Sequence, residues 1–362
     1  MTTYKGIHGL KVQHVTTDAA ASAISGATWS SGGNIPQALY ENAGAGATQT
    51  AALNFGGQGN PPGPAHPHSA DTQTYNGSSW TEVNNLNTSR RLLAGAGTST
   101  SALAFGGYTV PPAGNTQTVT ESWDGTSWTE VNDLNTARMY IQGIGTSNTA
   151  ALLGGGSNPA TTPVANTESW NGTSWTEVNN INTARGRFGS TGTSTAGLMM
   201  SGLSPSSDHL AITESWDGTN WTEVGDLNTA RNTAGGSGTY TDGLISGGDT
   251  SPGVTGVTEN YNGTSWTEVG DLNTSRYNTG SSGDTVGASL IFGGYDGSGK
   301  SQTTEEFSLP STFRQFNIGD IYYNADPSSG VIKYTGYGTG AWASGGNLNQ
   351  ARSQGGSVGS SQ

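Results

Sequence analysis

Short runs of small and apolar residues alternate with polar turn residues along most of the chain, and the order of those runs repeats. In one unit they fall at residues 95–99, 102–105, 118–123 and 128–134, four brief β signals. The second run ends on Gly106-Gly107. The third and fourth are separated by Asp124-Gly125, a pair that tolerates the positive φ of a tight hairpin. The fourth run in its fullest form, residues 171–185, reads Asn-Gly-Thr-Ser-Trp-Thr-Glu-Val-Asn-Asn-Ile-Asn-Thr-Ala-Arg, and close copies end at Arg90, Arg138, Arg231 and Arg276. The anchoring tryptophans Trp80, Trp128, Trp175, Trp221 and Trp266 stand 48, 47, 46 and 45 residues apart. A period in the forties with four antiparallel strands in each period predicts the blades of a β-propeller.

The signals for the first two strands occur six times, beginning near Gly44, Gly95, Gly143, Gly189, Gly235 and Gly280. Third-strand aromatics also number six: Tyr75, Trp123, Trp170, Trp216, Tyr261 and Phe307. The tryptophan strand occurs seven times when Trp29 and Trp342 both count. We therefore expect an all-β, six-bladed propeller, with seven blades as the alternative. Its last blade lacks a standard fourth strand, which either the Trp29 or the Trp342 segment would supply; the N-terminal choice ties the ends of the ring together without an exposed edge. The expected parts are an N-terminal arm (1–28), the propeller (29–312), a small β module (313–341) and a propeller-like strand (342–362) that closes the ring or begins a further repeat.

Composition agrees with thin sheets. Glycine accounts for 58 of 362 residues and hydrophobic residues for 31%, too glycine-rich for helical repeats and too apolar-poor for one thick core. A formal charge of −13 argues against a surface for nucleic-acid phosphates. With no cysteine there is no disulfide framework, thiolate metal site or cysteine nucleophile. No apolar run approaches a membrane span, and the first ten residues lack the apolar region of a signal peptide, so we expect synthesis without a secretion signal and no membrane insertion.

The succession of Gly-Gly, then Thr-Glu-Ser-Trp-Asp-Gly-Thr-Ser-Trp128, then Leu134-Asn-Thr-Ala-Arg138 resembles Kelch-type repeats over residues 29–313, although the five-residue aromatic spacing is tighter than usual for that family. A second resemblance lies in Gly319-Asp-Ile-Tyr-Tyr-Asn324, Gly330-Val-Ile-Lys-Tyr334 and Gly340-Ala-Trp342-Ala-Ser-Gly-Gly-Asn-Leu-Asn-Gln-Ala-Arg352. It looks like small β modules that precede Kelch-like arrays in structural proteins of tailed bacteriophages, notably marine ones. The resemblance implies a non-enzymatic protein on the exterior of a phage particle, as capsid decoration, fibre component or receptor-binding adhesin. The implied partners are other virion proteins, reached through the arm or the C-terminal module, and a host cell-surface glycan; a homo-oligomer also fits.

The repeated residues read as architecture. The aromatic pairs suit blade packing. Arg90, Arg138, Arg185, Arg231 and Arg276, together with Glu121, Glu168, Glu214, Glu259 and Glu305, suit a structural ladder between or within blades, because a binding site would not need the same residues in every blade. Asn76, Asn171 and Asn262 match glycosylation sequons, but Asp124 and Asp217 at equivalent positions indicate turn chemistry instead. His66 and His68 could hold a metal, yet no further ligand clusters with them, so a solvated loop is the plainer reading. We assign no catalytic residue, metal or cofactor. The alternative, an enzyme acting on host surface polysaccharide, predicts carboxylates converging in a central pocket. Strand parity puts the variable second-to-third loops and the fourth-to-first connections on one face. There the candidate binding residues are His66, His68, Tyr108, Pro111, Asp208, His209, Asp249, Tyr295 and Asp296.

Overall fold

The computed structural model describes residues 13–15, 24–59, 68–109, 115–309, 321–324 and 332–334. The chain divides into two compact units, one formed by Ser22–Ser311 and the other by Met1–Ala21 with Thr312–Gln362. In the second unit, Gln13–Val15 pairs in parallel with Ile321–Asn324, which pairs antiparallel with Ile332–Tyr334. The arm thus supplies a strand to the sheet of the C-terminal module.

The unit Ser22–Ser311 is a six-bladed β-propeller of antiparallel four-stranded sheets. Blade one consists of Ala43–Thr48, Ala51–Phe55, Thr72–Tyr75 and Trp80–Val83. Blade two repeats this order with Ala94–Thr98, Ser101–Phe105, Thr120–Trp123 and Trp128–Val131. Blades three, four and five begin at Ile144–Ser147, Gly189–Thr193 and Gly235–Gly238. Blade six takes Gly280–Ser282, Leu290–Phe292 and Thr304–Ser308 from the end of the propeller and its outer strand, Thr28–Ser31, from the beginning.

Ring closure therefore falls to the Trp29 segment, with Trp29 opposite Phe307 and Ser31 opposite Glu305. Residues 342–362 lie outside the described residues. The body also starts ahead of Trp29. Ala27 is buried in the same cluster as Trp29 and Phe307, and the turn Ile24–Gly26 leads into it, because a closing strand needs an anchored entry as well as a hydrogen-bonded edge.

Why these sequences make blades is visible in one junction. Trp128 pairs across its hairpin with Trp123, the two rings 5.3 Å apart. Trp128 also reaches back to blade one: its ring lies 4.9 Å from that of Phe55, and its Nε1 donates to Thr72 Oγ1 at 3.0 Å. The repeated tryptophan thus seals the space between blades while its polar edge remains satisfied. Phe105 and Trp175, and Phe292 and Trp80, repeat the contact. Near the axis, inner strands approach closely enough that some positions have no room for a side chain. A Cβ on Gly95 would stand 2.3 Å from the Gly44 carbonyl oxygen of the neighbouring blade, so this inner strand needs glycine.

The arginine and glutamate ladder runs between blades. Each arginine follows the outer strand of one blade and reaches a third-strand glutamate of the next: Arg90 to Glu121 at 3.0 Å, Arg138 to Glu168 at 2.5 Å, Arg185 to Glu214 at 3.1 Å, Arg276 to Glu305 at 2.8 Å, and Arg231 to Glu259. The sixth junction, where the ring closes, has neither charge. Leu39 occupies the arginine position and Gln73 the glutamate position. Amides fill the gap instead: Asn42 Nδ2 donates to Asn54 Oδ1, and Asn54 Nδ2 to Gln73 Oε1, both at 2.7 Å. Cation and anion are absent together at this junction, which avoids burying either one unpaired.

Candidate functional site

The two ends of the propeller are built differently. At one end, every third-to-fourth turn repeats the same chemistry. Asp124 Oδ1 accepts from the backbone N–H groups of Thr126 and Ser127, and Asn171 Oδ1 does the same for Thr173 and Ser174. Neighbouring turns are also braced, as where Asn84 Nδ2 donates to the Thr126 carbonyl at 2.8 Å. The former sequon asparagines and their aspartate equivalents are thus occupied as turn residues.

The opposite end surrounds the mouth of a central cavity of about 110 Å³. Six residues, one from each fourth-to-first connection, encircle that mouth: Glu41, Leu92, Tyr140, Arg187, Thr233 and Asn278. Their backbones form a closed ring in which each N–H donates to the carbonyl of the preceding member and Glu41 completes the circuit by donating to Asn278. All six have φ between 53° and 60°, the left-handed region that non-glycine residues rarely enter. Glycine would adopt this conformation at least cost, and the chain has 58 glycines, yet none is used here. Six side chains retained at left-handed positions around one mouth single this ring out as a place to seek a side-chain role.

Outside the ring, each connection exchanges backbone hydrogen bonds with the residue after the double glycine of the next blade, or after Ser201-Gly202 in blade four. The pairs are Tyr40 with Gln58, Arg91 with Tyr108, Met139 with Ser157, Gly186 with Leu203, Asn232 with Asp249, and Tyr277 with Tyr295. Here the sixfold sameness breaks. Around the closure junction and its two neighbours the pairs are aromatic and charged; around the other three they are smaller or less aromatic. Tyr277 lies 5.6 Å from Tyr295, and Tyr295 lies 6.0 Å from Tyr40. Lys300 Nζ sits 5.3 Å from the Tyr40 ring centre and donates to the Gly59 carbonyl. Arg91 bonds Glu41 and Gln58, each at 2.7 Å, and its guanidinium is 5.6 Å from the Tyr108 ring centre. His68 lies 5.9 Å from Tyr108. These residues form an arc on the mouth face.

Charge at the mouth is unevenly satisfied. Burial pushes the Glu41 carboxyl above its usual range, with Arg91, Arg187 and Lys300 opposing that shift. Burial, then the proximity of Glu41, raises the Tyr40 phenol; burial, then Asp249, raises that of Tyr277. Both phenols therefore remain neutral donors at physiological pH. Burial lowers the Lys300 ammonium against the pull of Glu41. Arg187 stacks on Tyr140 with its guanidinium carbon 4.0 Å from the ring centre, a close cation–π distance.

Of the sequence-predicted residues, Tyr108, His68 and Tyr295 lie in the arc. His209 and Asp249 face one another at 3.6 Å in the less aromatic half, where Asp208 accepts from Ser204 Oγ at 3.2 Å. Asp296 serves its own turn, accepting from the N–H groups of Ser298 and Gly299. His66 and Pro111 lie outside the described residues. The sequence reading missed Tyr40, Glu41, Arg91, Tyr140, Arg187, Tyr277 and Lys300. A usable signal was present for six of them: the pair of residues after the repeated arginine, or after Leu39, differs from unit to unit while the arginine stays fixed.

No protein-family model matches this chain, and a search of curated proteins finds no match. Among the described residues, no three His, Asp or Glu side chains gather as metal ligands, and no helix is long and apolar enough to cross a membrane.

Proposed function

We propose that this protein is a non-enzymatic component of the exterior of a tailed-phage particle, using one end of a rigid propeller to bind a host surface or a neighbouring subunit. The carrying observation is the division of labour between its two ends. The repeated residues are occupied by the fold, whereas the unrepeated aromatic and charged side chains collect around one mouth. A rigid scaffold with variable residues at one end suits recognition. The Kelch-like repeat and the resemblance of the C-terminal segments to phage structural modules supply the context: the arm and module attach to other virion proteins, and the propeller presents its mouth outward.

The lining of the cavity favours binding over hydrolysis. Glu41 precedes its inner strand and Asp284 follows the equivalent strand of blade six, so these carboxylates stand at opposite ends. Paired acid–base chemistry requires carboxyl groups roughly 5–9.5 Å apart across a glycosidic bond. Immunogold labelling of purified intact particles, using an antibody to the propeller, tests the assignment. Labelling on the particle exterior is expected; absence of the protein from purified particles would overturn it.

A further inference from the structure

Residues 22–311 contain 23 Asp and Glu but only eight Lys and Arg, a formal charge of −15. Five of the eight cations, Arg90, Arg138, Arg185, Arg231 and Arg276, are buried in the ladder. The other three are Arg91, Arg187 and Lys300, and all three act on the single carboxylate Glu41 at the channel mouth. A propeller that is otherwise acidic has gathered every cation not used in its ladder at one place.

The three are not equivalent. Arg91 is engaged by Glu41 and Gln58. Lys300 is held by the Gly59 carbonyl. Arg187 has no carboxylate within ion-pair distance and no side-chain hydrogen bond among the described residues; stacking on Tyr140 alone positions it. A guanidinium with its donors uncommitted, half-buried beside a cavity and held flat against an aromatic ring, is prepared for a two-point contact with a planar anion. Glu41, the carboxylate that shares the mouth with Arg187, makes its hydrogen-bonded ion pair with Arg91 instead.

We propose that the mouth binds an acidic stretch of a surface polysaccharide, placing the carboxylate or sulfate of one sugar on Arg187 and the apolar side of a neighbouring sugar across the ring against the tyrosine arc. This rests on the recognition role proposed for the same face and specifies its ligand class. The arc supports a sugar because its side chains combine flat apolar surface with phenolic hydroxyls, as in Tyr40, Tyr277 and Tyr295. Lys300 and Gln58 add further polar contacts along its border. A highly charged linear anion would encounter the acidic exterior beyond the mouth, whereas one acidic unit within a largely hydroxylated chain meets the cations locally.

Isothermal titration of the full chain with trigalacturonate, a sulfated galactose trisaccharide, neutral trigalactose and a triglutamate peptide tests the inference. The wild type should bind at least one acidic trisaccharide about tenfold more tightly than the neutral one, and the two acidic probes distinguish carboxylate from sulfate. Arg187→Gln should weaken that binding by about tenfold or more, and Lys300→Gln by a smaller factor. Thr126→Ala, at the opposite end, should change nothing. Thermal melting verifies that each variant is folded, and both cation variants alter exposed or half-buried positions. Equal binding of acidic and neutral trisaccharides, no binding of any trisaccharide, preference for the peptide, or unchanged affinity in folded Arg187→Gln would each overturn the ligand assignment. These readouts use isolated protein and leave particle location to be decided by labelling, so either conclusion can fail alone.

Discussion

Replacing Arg90 by leucine, alone and together with Glu121→Gln, would turn one charged junction into a copy of the uncharged pair at ring closure. Arg90 and Glu121 are both fully buried. Arg90 Nη2 donates to Glu121 Oε1 at 3.0 Å and to the Ala104 carbonyl at 3.2 Å, while Nη1 donates to the carbonyls of Val119 and Gly106. Desolvation lowers the Arg90 pKa to about 10, with Glu121 opposing the shift. Without the guanidinium, Glu121 retains only the N–H donors of Asn87 and Thr88 and is left without its cation in a buried junction. Breaking one half of such a pair costs about 3–5 kcal/mol. The double replacement removes both charges, as Leu39 and Gln73 do, and should recover about 1–3 kcal/mol relative to the sum of the two single losses. Urea denaturation followed by tryptophan fluorescence measures all four corners of this cycle. A loss below about 1 kcal/mol for Arg90→Leu, or strictly additive losses in the double variant, would refute the argument that the ladder is held by mutual compensation of buried charge.

Three further outcomes follow from the packing and the turns. Gly95→Ala should destabilise the propeller by about 1–3 kcal/mol in the same urea assay, because its Cβ would press on the Gly44 carbonyl and the Phe55 ring. Trp29→Ala should cost about 3–5 kcal/mol and increase protease sensitivity at the closure junction, since Trp29 is buried and its Nε1 bonds Thr258 Oγ1 at 3.1 Å. Backbone N–H donors hold Asp124 and Asp217 below the ordinary value of 3.8, and the hydroxyl and N–H of Ser298 do so for Asp296. Their stabilisation is therefore present above pH 3.8 and disappears as pH falls through the lower folded-state values. An Asp124→Asn, Asp217→Asn, Asp296→Asn variant should show a flatter thermal-melting profile in that acidic window; an unchanged acid slope would contradict the turn assignment.

The architecture was legible because it is repeated. Trp128, Arg138 and the Asp124-Gly125 turn have counterparts around the ring, so sequence spacing exposed strand order and favoured six blades over seven. Closure was legible only as a choice. Trp29 and Trp342 look alike locally, and pairing between distant strands does not appear in local pattern. What distinguishes their segments is ten residues downstream of each tryptophan: Leu39 follows Trp29, whereas Arg352 follows Trp342, and blade one presents Gln73 to its neighbour. A leucine leaves no guanidinium to be paired there. The mouth residues were hidden for the opposite reason. Arg187 and Tyr140 belong to different repeats and meet only when consecutive connections are wrapped around the axis; no single unit contains the site. The long loops bearing His68, Tyr108 and Tyr295 were conspicuous because they vary in length, while Tyr40, Glu41 and Arg187 occupy connections whose length scarcely changes.

The central claim is that recognition belongs to the mouth face. Hydrogen–deuterium exchange of the full chain, with and without a purified acidic surface polysaccharide, locates the footprint directly. Protection should concentrate in peptides covering Tyr40–Glu41, Arg91–Leu92, Tyr140, Arg187 and Tyr277–Asn278, leaving the turns at Asp124, Asn171 and Asp217 unchanged. Protection confined to those turns, with the mouth peptides exchanging as in the free protein, would contradict the account.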